Sequence, residues 1–200
     1  EIGRDFRNEG VSHTHNPEFT QLEFYWAYAD YLQVMELTEQ MVSTVCQKVT
    51  GGIKVNYQGD ELDFPPPWKR LEMRQGLLET SGIDIAAHPT AEDLLQALGK
   101  TGKQPDPFAT RGKLIDFMVA EFLEPVLIQP TFLYDYPRDI SPLAKSKPGD
   151  PLIVERFEGY ASGFEICNAF TELNDPLDQE ARFLEMGRDY THGEEEKHPM

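Results

Sequence analysis

Between Phe6 and Tyr25 the chain carries Arg7, Glu9, Glu23 and several aromatic rings on two segments of alternating chemistry joined by a polar loop. Side chains two apart on a strand share a face, so Asp5, Arg7 and Glu9 point one way and Phe6 the other. In the second segment Phe19, Gln21, Glu23 and Tyr25 share a face, opposite the apolar Leu22, Phe24 and Trp26. An arginine fork can meet phosphate and carboxylate oxygens together and keeps its charge. The pattern looks like a nucleotide and amino-acid binding hairpin, one face packing and the other doing chemistry. The same alternation also describes an amphipathic hairpin with a solvated polar side, because periodicity does not identify a ligand.

A second set of groups lies near the other end. Glu158, Glu165 and Glu172 recur seven apart, as on a helical stripe, but Gly159, Tyr160, Gly163, Phe164, Ile166 and Phe170 favour strand and turn. The spacing therefore predicts two adjacent strands with a turn near residues 161–163. Asn168, Phe170 and Glu172 share strand parity while Glu165 is out of phase, so a bulge or twist near Cys167 is needed to gather them. Three carboxylates and an amide can hold a hard divalent cation, although most acidic side chains simply face water. His13 and His15 form an H-x-H pair, but no further Cys or His is spaced to complete a zinc site.

Elements must hold these groups in place. Asp30 to Val49 reads as an amphipathic helix through Tyr31, Val34, Leu37, Met41, Val45 and Val49, ended by Gly51-Gly52. Lys54 to Phe64 reads as a hairpin around Gln58-Gly59-Asp60, stopped by Pro65-Pro66-Pro67. Short helices are predicted over Leu71–Thr80 and Ala91–Leu98, the second capped by Thr90 with Asp93 at its third position. Gly112–Leu123 reads as a helix closed by Pro125, and Val126–Tyr134 as a buried strand interrupted by Pro130.

Composition bounds the function. A net charge of −17 without a basic patch is poorly suited to phosphate contact by this segment, and fits either surface solvation or a site for a cationic substrate. Cys46 and Cys167 are too few and isolated for a disulfide framework or a Cys-based zinc site, so they read as packing residues in a reducing cytoplasm. The longest apolar run falls far short of the ~20 residues of a membrane span, and no secretory leader is visible.

The segment FRNEGVSHTHNPEFTQLEFYWAYADY resembles, nearly residue for residue, the second signature motif of class II aminoacyl-tRNA synthetases in its lysine-specific version. The general class needs little beyond Arg7, Glu9 and an aromatic such as Phe19, whereas HNPEFT followed by Glu23 and Tyr25 points to the lysyl enzymes. LIQPTF, then Ile140 to Lys145, and RFEGYASGFEICNAFTELND resemble further segments of that family. Phe164, Cys167 and Ala169 stand where relatives commonly carry Arg or Gly.

The resemblance implies an α+β fold, an antiparallel sheet flanked by helices, with residues from about 65 to 123 as a helical insertion. It implies that residues 1–200 are part of one catalytic domain, without the first and third class motifs and the anticodon-binding domain. It implies ATP-dependent activation of L-lysine to lysyl-adenylate and transfer to tRNA(Lys) by a cytoplasmic homodimer, with these residues alone inactive. Arg7 would take the α-phosphate and the lysine carboxylate, Glu9 the adenine amino group, and Phe19 the adenine ring. His15 and Asn16 would lie near the outer phosphates. Glu23 and Tyr25 would line the lysine side-chain pocket, with Asn168 on the lysine carboxylate and Glu172 on its ammonium. Glu158 and Glu165 would hold Mg²⁺. Two rival readings are a lysyl-transferring paralogue that modifies a translation factor, and a silent regulatory module of the same fold. The retained Arg7, Glu23, Glu158, Glu165 and Glu172 argue against the latter.

Overall fold

Among the residues described by the computed structural model, 1–8, 11–12 and 15–189, the strands form two separate hairpins and one five-stranded sheet. Strands β1 (Ile2–Phe6) and β2 (Glu18–Leu22) pair antiparallel with Asp5 opposite Phe19. Pairing continues beyond both ends, where the Arg7 amide donates to the Pro17 carbonyl at 3.0 Å and the Glu23 amide to Glu1 at 2.9 Å. The expected packing of the hairpin's apolar face is not found. Phe6, Leu22, Phe24 and Trp26 stay exposed, because this hairpin is not hydrogen-bonded into the larger sheet.

Helix α1 (Tyr31–Thr50) starts and stops where predicted: Asp30 and Gln33 form a capping box and Gly51 ends the helix at φ 79°. Its buried stripe is turned from the predicted one. Tyr31, Met35, Thr38 and Glu39 are buried, while Leu37, Val45 and Val49 are exposed. Glu39 explains the rotation, since it accepts the Trp68 amide at 2.9 Å and pairs with Arg70 at 3.3 Å, turning a charged position inward. Strands β3 (Lys54–Tyr57) and β4 (Asp60–Asp63) form the predicted hairpin, with φ of 53° at Gln58 and 101° at Gly59 giving a tight primed turn.

In the main sheet β5 (Lys69–Glu72) lies parallel to β6 (Thr131–Pro137). Leu71 therefore belongs to a strand and not, as predicted, to the following helix. A parallel pair needs a long crossover, and here it consists of α2 (Met73–Ser81), α3 (Ala91–Gly99) and α4 (Arg111–Met118). Thr90 caps α3 by accepting the Asp93 amide at 3.1 Å, as predicted. The predicted helix to Leu123 instead leaves α-geometry after Met118 for a π turn and a 3-10 turn that holds Pro125. The strand predicted from Val126 begins only at Thr131, because Pro130 has no amide to pair.

Strands β7 (Ser146–Lys147), β8 (Asp150–Ala161) and β9 (Phe164–Phe170) complete the sheet. Val154 of β8 pairs with both Tyr136 and Ser146, so β6 lies on one edge of β8, and β7 followed by β9 on the other. Leu133, Tyr136, Val154 and Tyr160 share one core with helices α2 to α4, and Phe132, Phe157 and Ala161 share a second with α1. Helix α5 (Pro176–Asp189) is tied down by buried Arg182, which holds Asp178 at 2.7 Å and donates to the Ala144 carbonyl at 2.7 Å. Cys46 and Cys167 are free thiols packed against the second core, as predicted, and burial pushes the Cys167 thiol up to about 12. No described helix is long and apolar enough to cross a membrane.

Candidate active site

Two breaks in strand register build the floor of the site. In β9 the partner of Gly159 is Cys167 but the partner of Tyr160 is Glu165, so Ile166 is an extra, bulged residue. The bulge turns Glu165 onto the face of β8 that carries Arg156, Glu158 and Tyr160, with Asn168 directly opposite Glu158. This is the bulge that the strand parity required. The second break is at Asp135, whose φ of 60° puts Tyr136 on the opposite face from Tyr134. Tyr136 thereby reaches Glu158.

Glu158 is buried and its carboxylate is closely held. Oε2 accepts the hydroxyls of Tyr136 and Tyr160, each at 2.6 Å, and Oε1 pairs with the Arg156 guanidinium. Burial and the Glu158 charge push both tyrosines above the ordinary phenol range, so they remain donors. Arg156 also donates from Nε to Asn168 Oδ1 at 3.2 Å and from Nη1 to the Ile140 carbonyl and Ser141 Oγ at 2.8 Å. Glu165 keeps solvent contact, yet desolvation by its surroundings, then the charge of Glu158, raises its carboxyl to about 7. Arg156 and Arg7 oppose that rise, and Glu124 adds to it.

The other wall comes from the exposed hairpin. Arg7 pairs with Asp5 at 3.4 Å and its guanidinium lies 5.3 Å from the centroid of the Phe19 ring. Its charge reaches Glu165 across the site. His15 and Ser12 close the loop tip, with the His15 amide donating to Ser12 Oγ at 3.0 Å, and Asn16 is exposed beside them. Tyr25 donates to Glu23 Oε1 at 3.1 Å, and its phenol is raised first by that bond and Glu23's charge, then by Glu172. Glu172 is fixed by a bridge to Ala144, and the flanking Lys145 amide donates to Thr171 at 2.8 Å. Glu158, Glu165 and Asn168 share one face of the β8–β9 hairpin, Arg7 lies close enough to bear on Glu165, and Glu172 close enough to bear on Tyr25. Glu9 and His13 lie outside the described residues.

Two carboxylates, Glu158 and Glu165, share one face with a local surplus of negative charge. No described group of three or more His, Cys, Asp and Glu is placed to hold a metal. Glu158 and Glu165 are the oxygen donors that a hard cation such as Mg²⁺ would meet on this face, the rest of its shell having to come from substrate phosphates and water. Oε2 of Glu158 is taken by two hydroxyls and Oε1 by the Arg156 guanidinium, so a cation bound there would have to share Oε1 with Arg156. Two clefts in the described structure lie elsewhere, one by Ser81, His88 and Lys100, the other by Glu36, Pro67 and Arg70. Arg156, Tyr136 and Tyr160 were not predicted as site residues. Strand parity with Glu158 could have found Arg156 and Tyr160, whereas nothing along the chain announces Tyr136.

The family model for tRNA synthetases class II (D, K and N) matches residues 1–199. The chain is 54% identical to a lysine–tRNA ligase of Dehalococcoides mccartyi over 92% of its own length and 37% of the relative. It is 49% identical to a lysine–tRNA ligase of Chloroflexus aurantiacus and 47% identical to one of Clostridium perfringens, over 100% of the chain in each case. Those matches cover 41% and 40% of the two relatives, so the chain spans about two fifths of their length.

Proposed function

The chain belongs to the tRNA synthetases of class II (D, K and N), and from that premise we propose that the whole protein activates L-lysine with ATP and transfers it to tRNA(Lys). The observation that supports the lysine reading is that Glu172, just past β9, lies close enough to bear on the Tyr25 phenol, which is bonded to Glu23 just past β2. Two carboxylates on one pocket balance a desolvated ammonium better than one, and leave an uncharged analogue unmatched. The relatives, named as lysine–tRNA ligases, support the same choice.

In the first step the lysine carboxylate attacks the α-phosphorus of ATP in line, forming lysyl-adenylate as the bond to pyrophosphate breaks. In the second, a terminal ribose hydroxyl of the tRNA attacks the lysyl carbonyl and AMP leaves. Neither step needs a side-chain nucleophile. Arg7 binds the α-phosphate and the carboxylate together, which aligns the reacting atoms and offsets charge building on the phosphate oxygens. Phe19 stacks under the adenine, whose amino group goes to Glu9, while His15 and Asn16 meet the outer phosphates. Asn168 donates to the lysine carboxylate. Glu158 and Glu165 would hold Mg²⁺, which would supply charge neutralisation on the phosphates.

Residues from about 65 to 123 are proposed as the insertion in this catalytic domain, the remaining class motifs and the anticodon-binding domain lying outside residues 1–200. A homodimeric, cytoplasmic whole protein completes the proposal. The test is lysine-dependent ATP–pyrophosphate exchange together with tRNA(Lys) charging by the whole protein. Exchange without charging would favour the factor-modifying paralogue, and the absence of both a silent module.

A further inference from the structure

Arg156 occupies the middle of the site without having been assigned a part in it. Its guanidinium donates to Glu158, to Asn168, to the Ile140 carbonyl and to Ser141, and its planar face lies 4.6 Å from the centroid of the Tyr136 ring. Its side chain is 17% exposed, while Asn168 itself faces solvent. Arginine has only donors. The Asn168 terminal atom facing Nε must therefore be the oxygen, whichever way an unconstrained amide would turn. With Oδ1 held at 3.2 Å by Arg156, the two N–H donors of Asn168 are left for a ligand.

We propose that Arg156 is a positioning residue that sets the hydrogen-bonding polarity of the substrate-carboxylate subsite, by locking Asn168 as a donor while bracing Glu158 beside it. This rests on the reading of the site as one for lysine. A free asparagine amide offers acceptor and donor alike and so does not distinguish a carboxylate from a carboxamide. A locked one turns its amino group toward the ligand, and those donors bond more strongly to a charged carboxylate than to a neutral amide oxygen. The same guanidinium fixes Glu158, which cannot swing toward Asn168 and compete for those donors. Lysine cannot replace arginine here, since one ammonium does not span the fixed fork from Glu158 to Asn168.

The experiment compares L-lysine with L-lysinamide, identical except that the carboxylate is replaced by a neutral amide, by calorimetric titration of the whole protein. The unsubstituted protein should prefer lysine. Arg156→Gln should cut the ratio of the two affinities by roughly tenfold, the size of one lost charge-assisted hydrogen bond, with Arg156→Lys behaving similarly. A merely structural role would weaken both ligands alike, and an unchanged ratio overturns the proposal. Where the Arg156 variants fail to fold by circular dichroism, Asn168→Asp carries the test. With the guanidinium in place, an acceptor-only side chain should reverse the preference toward lysinamide, and a retained preference for lysine overturns the proposal as well. Absence of lysine binding by the unsubstituted, folded protein would instead sink the functional reading beneath it.

Discussion

The two hairpins that border the site are built on opposite principles. The β8–β9 hairpin lies within a five-stranded sheet, and its central carboxylate, Glu158, is buried with three donors on it. The β1–β2 hairpin is a sheet of two strands whose polar residues and apolar residues alike meet solvent. One half is held by buried hydrogen bonds that are costly to break, while in the other the side chains answer mainly to one another. A group in the first half should therefore couple chemistry to stability, and a group in the second should carry chemistry alone.

The largest expected effect tests the first half. Glu158→Ala would leave Arg156 and two tyrosine hydroxyls without their shared acceptor, and breaking such a buried pair costs about 3–5 kcal/mol. Urea unfolding of the whole protein measures it, and a loss under about 1 kcal/mol, the scale of an exposed pair, would erase the contrast. Arg7→Ala tests the second half. It should lower ATP–pyrophosphate exchange by roughly 10²–10³-fold, as for loss of one preorganised donor, while stability stays within about 0.5 kcal/mol, as for most surface changes. Near-normal exchange would remove Arg7 from the chemistry.

A smaller effect separates ligands within the exposed half. Glu23→Gln should weaken lysine binding by about tenfold or more, the value of a hydrogen bond to a charged group, and leave ATP binding nearly intact. Equal losses for both substrates would count against a lysine pocket there. The smallest effect is a pH dependence around the buried network. Asp116 of α4 has its carboxyl raised to about 6 by desolvation, with Arg156 opposing and Glu158 adding to the rise, even though the residue is exposed at the surface. The unfolded chain loses that proton near 3.8, so between there and about 6 the folded state binds more protons than the unfolded one. Stability should thus fall as pH rises through that window. Asp116→Asn should flatten this part of the curve of urea midpoint against pH, and identical curves would show that the carboxyl is not held this way.

The local chemistry of the chain made much of this legible. Asp30 and Thr90 begin helices where their side chains can accept amides, Gly51 ends one in the left-handed conformation, and Gln58-Gly59 turns a hairpin. Each depends on neighbours within a few residues. The buried side of α1 was not legible, because it is set by Glu39 meeting Trp68 and Arg70 from far along the chain. Strand β5 was missed for the same reason, since its partner is residues 131–134.

The sequence by itself determined the kinds of group available and their spacing: an arginine and carboxylates on alternating positions, three glutamates seven apart, and the motifs that place the chain in its family. It also determined that Glu165 could join Asn168 only through a break in strand alternation. Only the tertiary structure decided where the breaks fall, at Ile166 and Asp135, and that Tyr136 and Arg156 complete the network around Glu158. The physical reason is range. Caps, turns and parity act between residues adjacent in the chain, whereas a bulge and a buried carboxylate's partners are settled by strands that meet only when the sheet has formed.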